Sequence, residues 1–155
     1  MSKINILVSE CLLGVDCTYK NSNNKNQDVI NLGKKYNLIP ICPEQLGGMT
    51  TPRVPSENYG DKIVNKQGED VTMQFEKGAN ISLYLAKMYG CKYAVLKAKS
   101  PSCGFGKIYD GTFTGTLISG NGTTADLLFK NGIKVFNENQ TELLINEIEN
   151  KKISD

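Results

Sequence analysis

The stretch Ile4-Asn5-Ile6-Leu7-Val8-Ser9-Glu10-Cys11-Leu12-Leu13-Gly14 reads as a short buried strand that runs directly into a cysteine-bearing loop. A brief apolar run of this length, rich in branched side chains, suits a strand of a parallel sheet. Three further runs repeat it: Leu38-Ile39-Pro40-Ile41, Tyr93-Ala94-Val95-Leu96 and Ile133-Lys134-Val135-Phe136. Helical patterns fill the intervals. Asp28 to Tyr36 reads as one helix, and Phe75, Ala79, Leu83 and Ala86 mark the apolar face of a longer one, stopped by Gly90. Thr123 with Asp126, and Asn139 with Glu142, read as capping boxes opening two more. Asp70 and Thr72 read as the cap of the long helix. The expected fold is α/β: a small, single-domain (1–155), Rossmann-like open parallel sheet with flanking helices and right-handed crossovers.

Composition narrows the chemistry. The 155 residues are 39% hydrophobic and 22% charged, with 18 Lys and Arg against 16 Asp and Glu. A net charge of +2 announces neither a nucleic-acid nor a membrane partner. Histidine is absent, which excludes Ser-His-Asp and Cys-His nucleophile systems, His-ligated zinc or haem, and imidazole acid-base work. No apolar run is long enough to cross a bilayer. The segment before the first cysteine lacks the form of a signal peptide, so the expectation is a reducing cytoplasm. There, a cysteine-rich chain binds metal or does thiol chemistry more often than it forms disulfides.

The strand scheme gives the five cysteines different meanings. Cys11, Cys42 and Cys103 each follow a strand, and loops at the carboxyl ends of parallel strands share one edge. These three thiols are therefore expected to converge, at the edge where such folds bind ligands. The competing reading makes each a small buried hydrophobe. Cys91, between Gly90 and the third strand, belongs to the opposite end and reads as packing. Cys17 shares the first loop, as a fourth ligand, an accessory thiol or a neutral loop residue. Paired CxxC knuckles of a four-cysteine zinc site are missing. Three thiolates from separated loops suit an iron-sulfur cluster with one iron free of cysteine, a Lewis acid open to a substrate atom. Gly14, Gly47, Gly48, Gly104 and Gly106 nearby would let backbone approach a bulky inorganic group.

Several ordered motifs carry a resemblance. Cys11-Leu12-Leu13-Gly14, Cys42-Pro43-Glu44 with Gly47-Gly48 and Pro52-Arg53, and Asp70-Val71-Thr72 leading to Phe75 and Gly78-Ala79 form its first half. Leu96-Lys97, Ser100-Pro101-Ser102-Cys103-Gly104, Tyr109-Asp110-Gly111-Thr112-Phe113 and Gly120 with Gly122 complete it. Together they resemble domain-of-unknown-function family 523, whose characterised members are thiouracil desulfidases, from Ile4 to about Glu138. The resemblance implies a [4Fe-4S] cluster on three cysteines, here Cys11, Cys42 and Cys103. It also implies non-redox replacement of the sulfur of a thiolated pyrimidine by water oxygen, releasing sulfide. Members often read Cys-Arg-Tyr-Asp-Gly where this chain has Cys17-Thr18-Tyr19-Lys20-Asn21, a departure that bears on the substrate and not on the cluster.

Carbon-sulfur cleavage also needs a water activator and a proton source. Glu44, two residues after Cys42, is the expected base, with Glu57 and Glu10 in reserve. Ser100 and Ser102 are candidates to bind the base, orient water or give a proton, or else form a turn around Pro101. Arg53 and Lys97 would pair with carboxylates or an anionic ligand edge. The partner expected is a small thiolated base, and the assembly a monomer or homodimer. Two other readings stand beside the desulfidase. One is a cluster-carrying or metal-binding module without turnover, in which Glu44 would point away from the three cysteines. The other is a thiol or persulfide redox enzyme with Cys11 and Cys17 in close approach.

Overall fold

A computed structural model describes residues 3–154. Strands β1 (Asn5–Ser9), β2 (Asn37–Ile41), β5 (Tyr93–Leu96) and β8 (Lys134–Asn137) form a parallel sheet in the order β2-β1-β5-β8. Alternation along the central strands explains the two layers beside it. Ile6 and Val8 of β1, with Tyr93 and Val95 of β5, face one core. That core is completed by Val29 of α1 (Gln27–Asn31) and by Leu144 and Ile148 of α5 (Thr141–Ser154). Leu7, Ala94 and Leu96 face the other, against Ala86 of α3 (Thr72–Met88) and Ala125 and Leu128 of α4 (Thr123–Lys130). Pro40 is tolerated in β2 because that strand lies at the sheet edge.

The strand order decides where a ligand can sit. From β1 the chain goes to β2 on one side, then crosses to β5 on the other side of β1. This reversal opens a crevice at the carboxyl ends of β1 and β5, the switch point of doubly wound sheets. Four-residue α2 (Pro43–Leu46) follows β2 and packs on α3 at backbone distance. A Cβ on Gly78 would lie 1.9 Å from the Pro43 carbonyl oxygen, and one on Gly47 2.0 Å from that of Gln74. Only glycines allow this crossing, which sets the height of Cys42 and Glu44 over the sheet edge.

Several local expectations change. The helix expected over Asp28–Tyr36 is a five-residue α1 continued by a 3-10 turn over Leu32–Lys34, with Asn26 Oδ1 capping Val29 N–H at 3.1 Å. Thr123 is the first residue of α4 and not its cap; Gly122 holds the cap position, and Asp126 turns instead to Asn121 and Lys130. Asn139 likewise lies outside α5, donating its backbone N–H to Asn137 Oδ1 at 2.9 Å. Asp70 Oδ1 does accept the Thr72 N–H at 2.9 Å, one residue ahead of the Val71 cap position, while Thr72 Oγ1 accepts from Ile63 N–H. Gly90 ends α3 as expected, at φ +64°, with Cys91 N–H returning to the Ala86 carbonyl. Two hairpins lie outside the sequence expectation: β3 (Ser56–Tyr59) with β4 (Lys62–Asn65), and β6 (Lys107–Tyr109) with β7 (Leu117–Ser119). Residues of the first and third of these strands close the crevice from above.

Candidate active site

Four thiols line one cavity of about 480 Å³ at the carboxyl edge of the sheet: Cys11, Cys17, Cys42 and Cys103. Each arrives by its own device. Ser9 ends β1, and a 3-10 turn over Glu10–Leu13 carries Cys11 before Gly14 reverses the chain at φ +98°. Cys42 is the residue between β2 and α2, where Pro43 at the first helical position stops the strand. Cys103 closes a turn after β5. Ser100 Oγ accepts the N–H groups of Ser102 and Cys103 at 3.2 and 3.1 Å, and Gly104 N–H donates to the Ser100 carbonyl at 2.8 Å.

The sulfurs interact. A hydrogen bond from Cys17 holds the Cys11 thiol down at about 7, and the Cys17 thiol is correspondingly raised by its bonds to Cys11 and Cys42. Cys42 is lowered, chiefly by the same Cys17 contact. Cys103 is pushed up to about 12 by burial, opposed by hydrogen bonds from Ser9 and Ser102. Four thiols in one cavity, two of them lowered from the ordinary 9.0, offer a set of soft donors to a cation. Cys91 is buried at the amino end of β5, outside this cavity, with its thiol pushed up to about 11 by desolvation.

Glu44 lies among them. Its Oε1 accepts from Arg53 Nε at 2.9 Å and its Oε2 from Ser102 Oγ at 3.1 Å. Because the Ser102 hydroxyl proton is committed to Glu44, Ser100 is the donor of the 3.1 Å Ser100–Ser102 bond. The result is a proton-bearing chain, Ser100 to Ser102 to Glu44, that runs beside Cys103 Sγ, 3.7 Å from Ser102 Oγ. Ser100 also builds the turn that was the alternative reading of these serines. Arg53, 5% exposed at its side chain, forms the expected carboxylate pair. It further donates Nη2 to the Cys17 carbonyl at 2.8 Å and Nη1 to Thr51 Oγ1 at 2.9 Å, tying the Cys17 loop to α2. Lys97 pairs with Glu138 at 3.0 Å and lowers Cys11 slightly.

The reserve carboxylates separate. Glu57 Oε1 is taken by the N–H groups of Gly111 and Phe113, at 3.0 and 3.1 Å, so it anchors the loop between β6 and β7. Glu10 has a carboxyl raised by burial and lies against Cys17 and Cys42. Sequence reasoning missed the partners on the upper wall, Tyr19 and Tyr109, which reach the cavity from a loop and a short strand. Neither has a periodic signal; both stand inside motifs already singled out.

Residues 6–140 match the profile of a family described as 2-thiouracil desulfurase. The chain belongs to that family. A curated relative, uncharacterized protein YbbK of Bacillus subtilis strain 168, is 42% identical over 145 residues, covering 87% of this chain and 96% of the relative. The solved structure of a [4Fe-4S]-dependent thiouracil desulfidase, TudS (DUF523Vcz), superposes with a TM-score of 0.89 at 40% identity, covering 95% of this chain and 99% of that one. The resemblance carried by the motifs and the four-stranded parallel architecture thus meet in one family. Among the described residues, no helix is long and apolar enough to cross a membrane.

Proposed function

We propose that this protein hydrolyses the carbon-sulfur bond of a thiolated pyrimidine, converting 2-thiouracil to uracil and sulfide, with a [4Fe-4S] cluster held by Cys11, Cys42 and Cys103. Family membership and the similarity to a solved [4Fe-4S]-dependent thiouracil desulfidase support the reaction and the cofactor. The observation that carries it is the meeting, at one cavity, of these three thiols with the Ser100–Ser102–Glu44 chain. The residues fit the group on their own terms. They are soft donors from three separate loops, with Lys97 acting on Cys11 and Arg53 on Cys42 to favour their thiolates, beside a crevice roomy enough for an inorganic core and a small ring. When bound, such a cluster supplies an iron without a cysteine ligand, a Lewis acid that receives the substrate sulfur.

The protein's own residues supply the rest. Arg53 fixes the Glu44 carboxylate by its Oε1, which leaves Oε2 as the proton acceptor. Ser102 Oγ, already donating to Oε2, is the route by which the proton of the attacking water reaches Glu44. Ser100 keeps Ser102 in that rotamer. Oxygen replaces sulfur at unchanged oxidation state, and the two water protons leave with sulfide, so no electron donor is consumed. Tyr19 and Tyr109 line the side on which an aromatic ring would lie. A carrier without turnover would not need Glu44 turned towards Cys103 through Ser102, and the geometry favours the enzyme. We further read residues 1–155 as one domain working on a small thiolated base, alone or as a homodimer, in the reducing cytoplasm that five free thiols suit.

The test is an anaerobic assay of reconstituted protein with 2-thiouracil and no added reductant. Uracil and sulfide should appear in equal amounts over many turnovers. Loaded protein that yields neither product, or sulfide without uracil, would overturn the reading.

A further inference from the structure

Cys17 has no assigned part in the three-cysteine arrangement, yet it is the thiol that touches both Cys11 and Cys42. One oxygen of Glu10, Cys17 Sγ and Cys42 Sγ all lie within 4.8 Å of one another. The Glu10 carboxylate makes no hydrogen bond and no ion pair among the described residues, although it faces two sulfurs at the wall of a cavity. A partly buried, unpartnered carboxylate beside two thiols is a poor arrangement for the empty protein and a good one for a cation.

We infer that cluster-free protein binds one zinc-type divalent ion through Cys17, Cys42 and Glu10, with water in the fourth position. Two thiolates and one carboxylate form a donor set of intermediate softness, suited to zinc or cobalt and unsuited to calcium or magnesium. Tetrahedral bonds of the usual lengths place such donors roughly 3.4–3.8 Å apart, so side-chain rotation alone closes the present separation. Binding releases the two thiol protons and consumes nothing else. The site differs from the proposed cluster site in using Cys17 and Glu10, and overlaps it at Cys42. The ion and the cluster therefore exclude one another, and zinc arriving first blocks cluster assembly. Only this last consequence rests on the desulfidase reading.

The experiment is an anaerobic titration of cluster-free protein with Co²⁺, followed by competition with Zn²⁺. One equivalent should bind, with thiolate-to-cobalt charge transfer and the intense visible bands of tetrahedral cobalt, both removed by zinc. Cys17→Ser and Glu10→Gln should each weaken binding by more than the roughly 10-fold to 100-fold that loss of a ligand's hydrogen-bonding partner costs. Cys103→Ser should bind cobalt as the unaltered protein does. Glu10→Gln keeps the shape of a partly buried side chain, so it reports binding even if a cysteine variant folds poorly. No tetrahedral cobalt spectrum would overturn the site, as would full affinity in both Cys17→Ser and Glu10→Gln, or equal loss in Cys103→Ser. Iron and sulfide reconstitution of the same variants keeps the two claims apart. Failure of the cluster reading appears as full cluster loading in Cys103→Ser, whatever cobalt does.

Discussion

Glu44 is held at both oxygens before any substrate arrives, by a buried guanidinium on one side and a serine hydroxyl on the other. Such a carboxylate cannot swing, and pre-positioning of this kind is what a proton acceptor needs. Glu44→Gln preserves shape but not basicity. It should keep cluster absorption and thiouracil binding and lose sulfide release by on the order of 10²-fold or more. Release at the unaltered rate would place the base elsewhere. Cys91 offers a cleaner titration, because only burial acts on it. Its folded value, about 11, lies above the ordinary 9.0, so the folded state holds that proton longer than the unfolded state does. The stability it contributes is complete below pH 9 and is lost as pH rises towards 11. Thermal melts of cluster-free protein should therefore fall across that interval, and less steeply in Cys91→Ala; identical slopes would contradict the account. Residue positions were partly legible in advance. Position after a strand picked out Cys11, Cys42 and Cys103, whereas the Cys17 contacts and the Arg53 tie depend on loop excursions that no periodicity records.

Between α2 and α3 the decisive contact is backbone on backbone. Alanine at position 78 would improve helix propensity by about 1 kcal/mol. Its Cβ would meet the Pro43 carbonyl at 1.9 Å, and forced overpacking costs roughly 1–3 kcal/mol, more when backbone must move. The clash wins. Gly78→Ala should melt lower and retain less iron after reconstitution, because α2 carries Cys42 and Glu44 with it; a higher melting temperature with full iron content would show that this crossing does not set the site. At this scale, buried elements were legible and exposed ones were not. The four sheet strands announced themselves as apolar runs because the sheet is covered on both faces. The polar β3 and the fully exposed β7 carry too little burial to leave a pattern. Thr123 misled because a capping residue and a first-turn residue share one composition, with Gly122 holding the cap position; Asn139 misled because Gln140, one residue later, stands just before α5.

Across the molecule, the order β2-β1-β5-β8 makes a site possible for a chain without histidine. The reversal at β1 brings two cysteine loops together across the crevice, β2 adds the third with its carboxylate, and the two hairpins wall the open side. Cysteines that lie 31 and 61 residues apart in the chain are thereby gathered by sheet topology alone, Cys11 to Cys42 and Cys42 to Cys103. The central claim is that these three thiols hold one cluster, and iron and sulfide counting after anaerobic reconstitution tests it most directly. Unaltered protein and Cys91→Ser should each hold about four irons and four sulfides per chain, while Cys11→Ser, Cys42→Ser and Cys103→Ser should each lose the cluster. Full loading in Cys42→Ser would contradict the account.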